Sequence, residues 1–354
     1  MANAVWNGLH LADLVFPAFV FCMGVSIAVL NRRDAQRLEK PLEDAERPRD
    51  SFPMQVMGSQ VNPLQTTPTA LNDELYVQLR EPSNRPRIVV LMLEYAMVFW
   101  RLLRRSLTLF ALGFALSNVG FDDYREARIF GVLQRVAFIY FLTGIISMFA
   151  LPRYSPRQVS QQNAHKKRFL FTRIVQRAYF LLRDVLPFWP EWIAVLALLG
   201  VQLGFEFGVN VPDCPRGYLG PGGLHWNASF VNCTGGAHRW IDVYVLGESH
   251  LNTDPTTVDV YKTEVNFDQE GLLGTCSATF LCFLGLQAGK VLLFSSNSVE
   301  RVVRLCVWAV ICGVLTLPLV LVKGPLDFNP SLIPINKNLW YVDLVKSFTT
   351  SSLS

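Results

Sequence analysis

The chain has 354 residues, of which 51% are apolar and 17% charged, and its mean hydropathy is positive. That charge content is low for a soluble domain of this length, and the apolar residues fall into long runs separated by polar stretches, the pattern of a polytopic helical protein. A net charge of +4 is small and says little about nucleic acid; no nucleic-acid partner is expected, and the lipid bilayer is the expected surrounding.

Six spans are predicted in chain order. The first covers 11–30, long enough to cross roughly 30 Å of hydrocarbon at about 1.5 Å per residue. Residues 31–87 follow as a loop with Pro41, Pro48, Pro53, Pro63, Pro68, Pro82 and Pro86 among charges, and disorder is expected from 34 to 87. The stretch 88–100 is apolar but too short to span. It reads as a lead-in helix continuous with a second span at 102–119, and a third span at 129–151 completes a unit that runs to 209 with the fourth at 189–209. A long loop, 210–270, precedes the fifth span at 271–294 and the sixth at 303–322; the Trp340-Tyr341 pair beyond reads as the start of another span. The expected fold class is therefore all-α, a polytopic membrane protein of about six transmembrane helices.

The loops divide by charge. Loops 31–87 and 152–188 and the short loop with Arg301 and Arg304 are rich in Lys and Arg, and the positive-inside rule assigns them to the cytosol. Loop 210–270 has only Arg216, Arg239 and Lys262 against several acids, and so lies on the other side. It carries two glycosylation sequons, at Asn227 and Asn232, and two cysteines, Cys214 and Cys233, which pair as a disulfide if that compartment is oxidising. Its Gly cluster at 217–223 is not a phosphate loop, because no strand precedes it and no Lys-Ser/Thr follows. His225, His238 and His250 match no zinc spacing, so no metal is expected. Cys22, Cys276, Cys282, Cys306 and Cys312 lie in spans as small apolar residues.

Two stretches put polar groups where a bilayer penalises them. Residues 6–17, Trp-Asn-Gly-Leu-His-Leu-Ala-Asp-Leu-Val-Phe-Pro, place Asn7, His10 and Asp13 at the entrance of the first span. Arg128, Gln134 and Arg135 stand at the start of the third, with Arg135 about two turns inside. An intramembrane guanidinium needs a carboxylate, a phosphate or water. Asp13 or Glu206 could pair with it structurally; an anionic ligand is the functional alternative, and both remain open. The basic run His165-Lys166-Lys167-Arg168 is a solvated loop or a lipid-headgroup contact.

Several stretches, in order, resemble the heparan-alpha-glucosaminide N-acetyltransferase family. They are 6–17, Gly-Val-Leu-Gln-Arg at 131–135, Cys-Pro-Arg-Gly-Tyr-Leu-Gly-Pro-Gly-Gly at 214–223 and Asn-Cys-Thr-Gly-Gly-Ala at 232–237. Glu-Gly-Leu-Leu-Gly-Thr at 270–275, Leu-Gly-Leu-Gln-Ala-Gly-Lys at 284–290 and Asn-Lys-Asn-Leu-Trp at 336–340 complete the set. The resemblance implies transfer of acetyl from cytosolic acetyl-CoA, as co-substrate, to a terminal glucosamine of heparan sulfate in the lysosome, at a pocket among the spans. It implies pocket roles for Asn7, Asp13, Arg128, Gln134, Arg135, Lys337 and Asn338. In the family the catalytic His precedes Trp-Asn-Gly by three residues; that position here is Asn3, and His10 is the nearest substitute. Phe130 stands where the family has Pro, and 34–87 reads as an insertion. The family's first lumenal domain and span, and its spans after 336–340, have no counterpart, so the sequence is expected to be truncated at both ends. With Asn3 in place the chain is expected to be inactive. A transporter, or a catalytically dead homologue that binds or supports, is the alternative, and homo-oligomerisation is left open.

The charge asymmetry generates one direct test. A reporter cysteine at Ser160 is expected to react with an impermeant thiol reagent only from the cytosolic side of intact vesicles, and labelling from the opposite side would reverse the topology.

Overall fold

The computed structural model describes residues 6, 11–46, 87–119, 127–151, 186–253, 255, 257–295 and 297–321. These form α1 (Val15–Glu46), α2 (Arg87–Ser117), α3 (Val132–Met148), α4 (Trp189–Gly208), short α5 (His225–Ala228), α6 (Ala237–Leu246), short α7 (Thr257–Tyr261), α8 (Leu272–Phe294) and α9 (Ser298–Leu321), with 3-10 turns at Leu11–Leu14, Leu186–Phe188 and Glu248–His250. No strand occurs among the described residues. The protein is an all-α polytopic membrane protein. Val15–Arg37, Trp189–Gly208 and Leu272–Phe294 are long and apolar enough to cross a bilayer. The other three expected spans are also helices: α3 is 17 residues long, α2 carries Arg101, Arg104 and Arg105 in its middle, and α9 opens with Glu300, Arg301 and Arg304.

The central helix is α8, packed against α1, α3, α4, α6 and α9. Its apolar residues run around the whole circumference, as a helix buried on all sides requires, and 78% of its most apolar window is buried. Ala278, Leu281, Cys282, Phe283 and Leu286 meet Val20, Ile27 and Ala28 of α1, Ile139 of α3 and Val195 of α4 in one core.

Contact between α1 and α8 depends on absent side chains. A Cβ at Gly24 would lie 1.9 Å from the Cys282 carbonyl oxygen, and one at Gly285 would lie 2.0 Å from the Phe21 carbonyl oxygen. The two backbones therefore approach as closely as small residues allow, the mode by which helices associate where no hydrophobic driving force separates lipid from protein. The helix ends are tied by polar groups. Arg32 donates to the Leu293 carbonyl at 3.2 Å, Lys290 and Glu191 form a fully buried ion pair, and the Lys290 ammonium sits 3.6 Å from the Phe188 ring centroid.

Several boundaries differ from those read in sequence. α1 continues to Glu46, so 34–46 is helical where disorder was expected; 47–86 lies outside the described residues. Asp34 accepts from Arg101 of α2 at 2.9 Å, and Ala35 is buried beside Ala150 and Phe188, so tertiary contacts hold the helix past its apolar part. Residues 88–100 and the second span form one helix. The third helix starts at Val132 instead of 129, which moves Arg128 out of it and leaves Arg135 in its first turn, its N–H bonded to the Gly131 carbonyl at 2.9 Å. Arg301 and Arg304 lie on α9, because the Asn297 side chain accepts the Val299 N–H and starts the helix earlier.

Gly285→Ala is expected to cost about 1–3 kcal/mol, the usual range for overpacking a well-filled core. A lowered melting temperature in detergent checks this, with the same change at Gly200, where an added Cβ meets nothing within 4 Å, as control.

Candidate active site

The polar interior gathers where the 210–270 loop folds onto the ends of α3, α4 and α8. Cys214 and Cys233 are joined by a disulfide across 19 residues, a closure that contributes about 3 kcal/mol in the chain-entropy estimate. Within it, Gly222 donates its N–H to the Tyr218 hydroxyl at 3.1 Å and Gly235 donates to the Gly220 carbonyl at 3.1 Å. Gly223 and Gly235 both have left-handed backbone, φ +56° and +68°, the conformation that favours glycine. The cluster at 217–223 is thus a folded floor. Trp6 lies on it, 1% exposed, donating its indole N–H to the Leu219 carbonyl at 3.0 Å with its ring 5.6 Å from that of Phe267.

Residues 127–131 are held extended beside this floor. Asn118, just beyond α2, clamps Arg128 from both sides: its amide donates to the Arg128 carbonyl at 3.1 Å and its oxygen accepts the Arg128 N–H at 2.9 Å. A ring nitrogen of His250 lies 2.8 Å from the Ala127 carbonyl. So positioned, the Arg128 guanidinium donates through Nε to Asp268 at 3.1 Å, through Nη2 to the other oxygen of the same carboxylate, and through Nη2 to Glu270 at 2.8 Å. Burial works against this charge, but the hydrogen bonds and charges of Asp268 and Glu270 outweigh it and hold Arg128 above its ordinary range. Burial, then the Asp268 charge, raises the Glu270 carboxyl.

Arg135 is wholly buried and donates to the Gln269 carbonyl at 3.1 Å. The negative charges bearing on it include Glu270, Asp242 and Asp268. Asp242, on α6 and 1% exposed, accepts the Leu272 N–H at 2.9 Å, at the start of α8. Burial is the main reason its carboxyl is pushed up to about 7, with Asp268 adding to the rise and Leu272 and Arg135 opposing it. One turn earlier on α6, His238 is pushed down to about 3 by burial and then by Arg135, so its imidazole is neutral. Its Nε2 lies 4.0 Å from Glu206 of α4.

Of the residues named from sequence, Arg128 and Arg135 come together here. Gln134 is buried with its amide 3.4 Å from Ser117, and Asp13 is buried in the 3-10 turn before α1. Asn3, Asn7, His10, Lys337 and Asn338 lie outside the described residues. Asn227 and Asn232 are exposed on the loop. No group able to hold a metal ion occurs among the described residues. Sequence reading missed Asp242 and Asp268, which lack any periodicity that marks them, and weighed His238 only as a zinc ligand. Glu270 was quoted within a motif without a role.

Fold and site together define a polytopic membrane protein that buries a charged centre under a disulfide-closed loop. No family model matches the chain. Over 98% of its length it is 32% identical to human heparan-alpha-glucosaminide N-acetyltransferase and 31% identical to the mouse protein. The chain belongs to the family of these proteins, and it spans 42% of the length of each.

Asp242 makes stability depend on pH. Its folded value, about 7, exceeds the ordinary 3.8, so the folded state holds the proton more tightly than the unfolded one. That stabilisation is complete below about pH 4 and is lost as pH rises through about 7. The melting temperature is expected to fall across this window, and Asp242→Asn to flatten the fall; an unchanged slope would count against the assignment.

Proposed function

We propose that this protein is a membrane acetyltransferase in type, with a pocket for acetyl-CoA and for the terminal glucosamine of a heparan-type saccharide, in the lysosomal membrane. The observation that supports this most is the buried Arg128–Asp268–Glu270 and Arg135–Asp242 centre, in which Arg135 and Glu270 belong to stretches that carry the family's motifs. Acyl transfer from a thioester to an amine needs a polar, water-poor interior, since water would compete for the acetyl group. Asp13, Arg128, Gln134 and Arg135, with Asn7, Lys337 and Asn338, are the proposed pocket residues. Within them, Arg128 and Arg135 orient carboxylates: both guanidiniums are engaged by acids of this chain, which favours a positioning role over recognition of the cofactor's phosphates.

The amine must lose a proton as it attacks, to a base or after the acetyl has passed to a carrier. Asn3 stands at the position of the family's catalytic His, and a carboxamide does neither. In our reading the chain therefore binds its substrates and does not transfer. A transfer assay with labelled acetyl-CoA and glucosamine, in detergent or vesicles, checks this alongside acetyl-CoA binding. Bound acetyl-CoA with background transfer is expected. Robust transfer by the unaltered chain would show that another group accepts the proton, His10 being the first to replace.

A further inference from the structure

The middle of α2 carries charge at a level where its neighbours are apolar. α2 runs antiparallel to α3: a Cβ at Gly144 would meet the Leu102 side chain, and one at Gly113 would meet Leu133. Between these contacts Arg105 donates through Nη1 to the Tyr140 hydroxyl at 3.3 Å. Tyr140 is the middle residue of the 17-residue α3, about 12 Å from either end at about 1.5 Å per residue. Its neighbour Ile139 belongs to the core with Cys282 of α8 and Val195 of α4, two of the helices long enough to cross a bilayer. The Arg105 guanidinium therefore stands at span level, where a bilayer penalises charge.

Arg104 and Arg105 are both exposed on the outside of the bundle. Trp100 before them and Leu107 and Leu112 after them are exposed as well, the surface of a helix that meets lipid. Arg101, one turn earlier, is paired with Asp34 at 2.9 Å, whereas Arg104 and Arg105 form no ion pair with any acid of the described residues. The spans of a second copy offer no carboxylate at this level. Glu191 and Glu206 of α4 are buried, α3 and α8 contain no acid, and the one acid of α9, Glu300, lies in its first turn beside Arg304. The Tyr140 hydroxyl accepts from Arg105 and donates its own hydrogen to no acceptor among the described residues. Two guanidiniums and an O–H thus face lipid together. Their complement is a phosphate, whose several anionic oxygens match the guanidinium fork. Side chains on a helix lean towards its N-terminus, which here is the Asp34 end, where α3 also finishes and the Lys- and Arg-rich loops begin. The long arginine stems carry both heads towards the headgroups of that leaflet.

We propose that Arg104, Arg105 and Tyr140 form a binding site for the phosphate of an anionic glycerophospholipid, in the leaflet next to the Lys- and Arg-rich loops. A phosphate oxygen shared by Arg105 and Tyr140 bridges the α2–α3 contact, and Arg104 supplies the second charge. A zwitterionic headgroup brings the same phosphate together with an ammonium that the two arginines repel, so net headgroup charge sets the preference. The site lies on the outer surface, apart from the buried Arg128 and Arg135 centre, and stands whether or not the chain transfers acetyl.

The test is native mass spectrometry of the whole chain, released from micelles that hold phosphatidylglycerol and phosphatidylcholine in equal amounts. The chain is expected to retain phosphatidylglycerol at least about ten-fold over phosphatidylcholine, the scale of a charge-assisted hydrogen bond. Replacing both arginines, Arg104→Gln with Arg105→Gln, is expected to bring the two lipids to within about two-fold of each other. Arg216→Gln, in the 210–270 loop, is expected to leave the preference as it was, and the melting temperature in detergent shows that each variant is folded. Should the double variant not fold, Arg104→Gln and Tyr140→Phe are read singly, each with a loss of at least about three-fold. Equal retention of the two lipids by the unaltered chain, or a preference that survives the substitutions, overturns the site. Displacement of phosphatidylglycerol by added acetyl-CoA, lost in the same variants, would also overturn it, because the phosphate held there would then be the cofactor's.

Discussion

Burial of the Arg135 guanidinium is the constraint around which the loop side of the molecule is arranged. An arginine inside a bilayer costs about 2.5–3.5 kcal/mol on insertion scales even with some relaxation, and this one has no exposure at all. Its charge is met by Asp242, Asp268 and Glu270, which belong to α6 and to the segment before α8. Those carboxylates reach it only if 210–270 folds back onto the bundle. The disulfide, the left-handed glycines and the Trp6–Leu219 bond all serve that one placement.

The opposite side of the molecule solves the same problem separately. Lys290 is as buried as Arg135, and it is paired with Glu191 and covered by the Phe188 ring. Between the two charged centres lies the apolar core, where α1 and α8 touch through glycines. A buried pair brings little net stability, because desolvation offsets the attraction, but removing one partner leaves an uncompensated charge. The two centres therefore act as constraints on register. They fix where α3, α4 and α8 stand along one another, while the apolar packing supplies the driving contacts.

This arrangement gives the family relationship a physical content. The motifs that the chain shares with heparan-alpha-glucosaminide N-acetyltransferases over 98% of its length fall on the parts that converge: the 214–223 floor, the 131–135 turn and the 270–275 entry to α8. Asp242 and Asp268 stand between them on segments that the motifs do not cover, which is why a reading by motif passes over them.

Composition and charge pattern by themselves determined that the chain is helical, membrane-embedded and polytopic, because apolar runs of span length admit no other backbone solution in lipid. The motif order determined the family, and two cysteines in one loop determined the disulfide. Helix ends were less legible: α1 runs to Glu46 and α3 begins only at Val132, since both boundaries are set by contacts such as Asp34 with Arg101 and Asn118 with Arg128. The charged centre was decided by tertiary structure alone. Arg135 is 134 residues from Gln269 and Arg128 is 140 from Asp268, and no local period links groups so far apart. Only the folding back of the loop decides which acid meets which arginine.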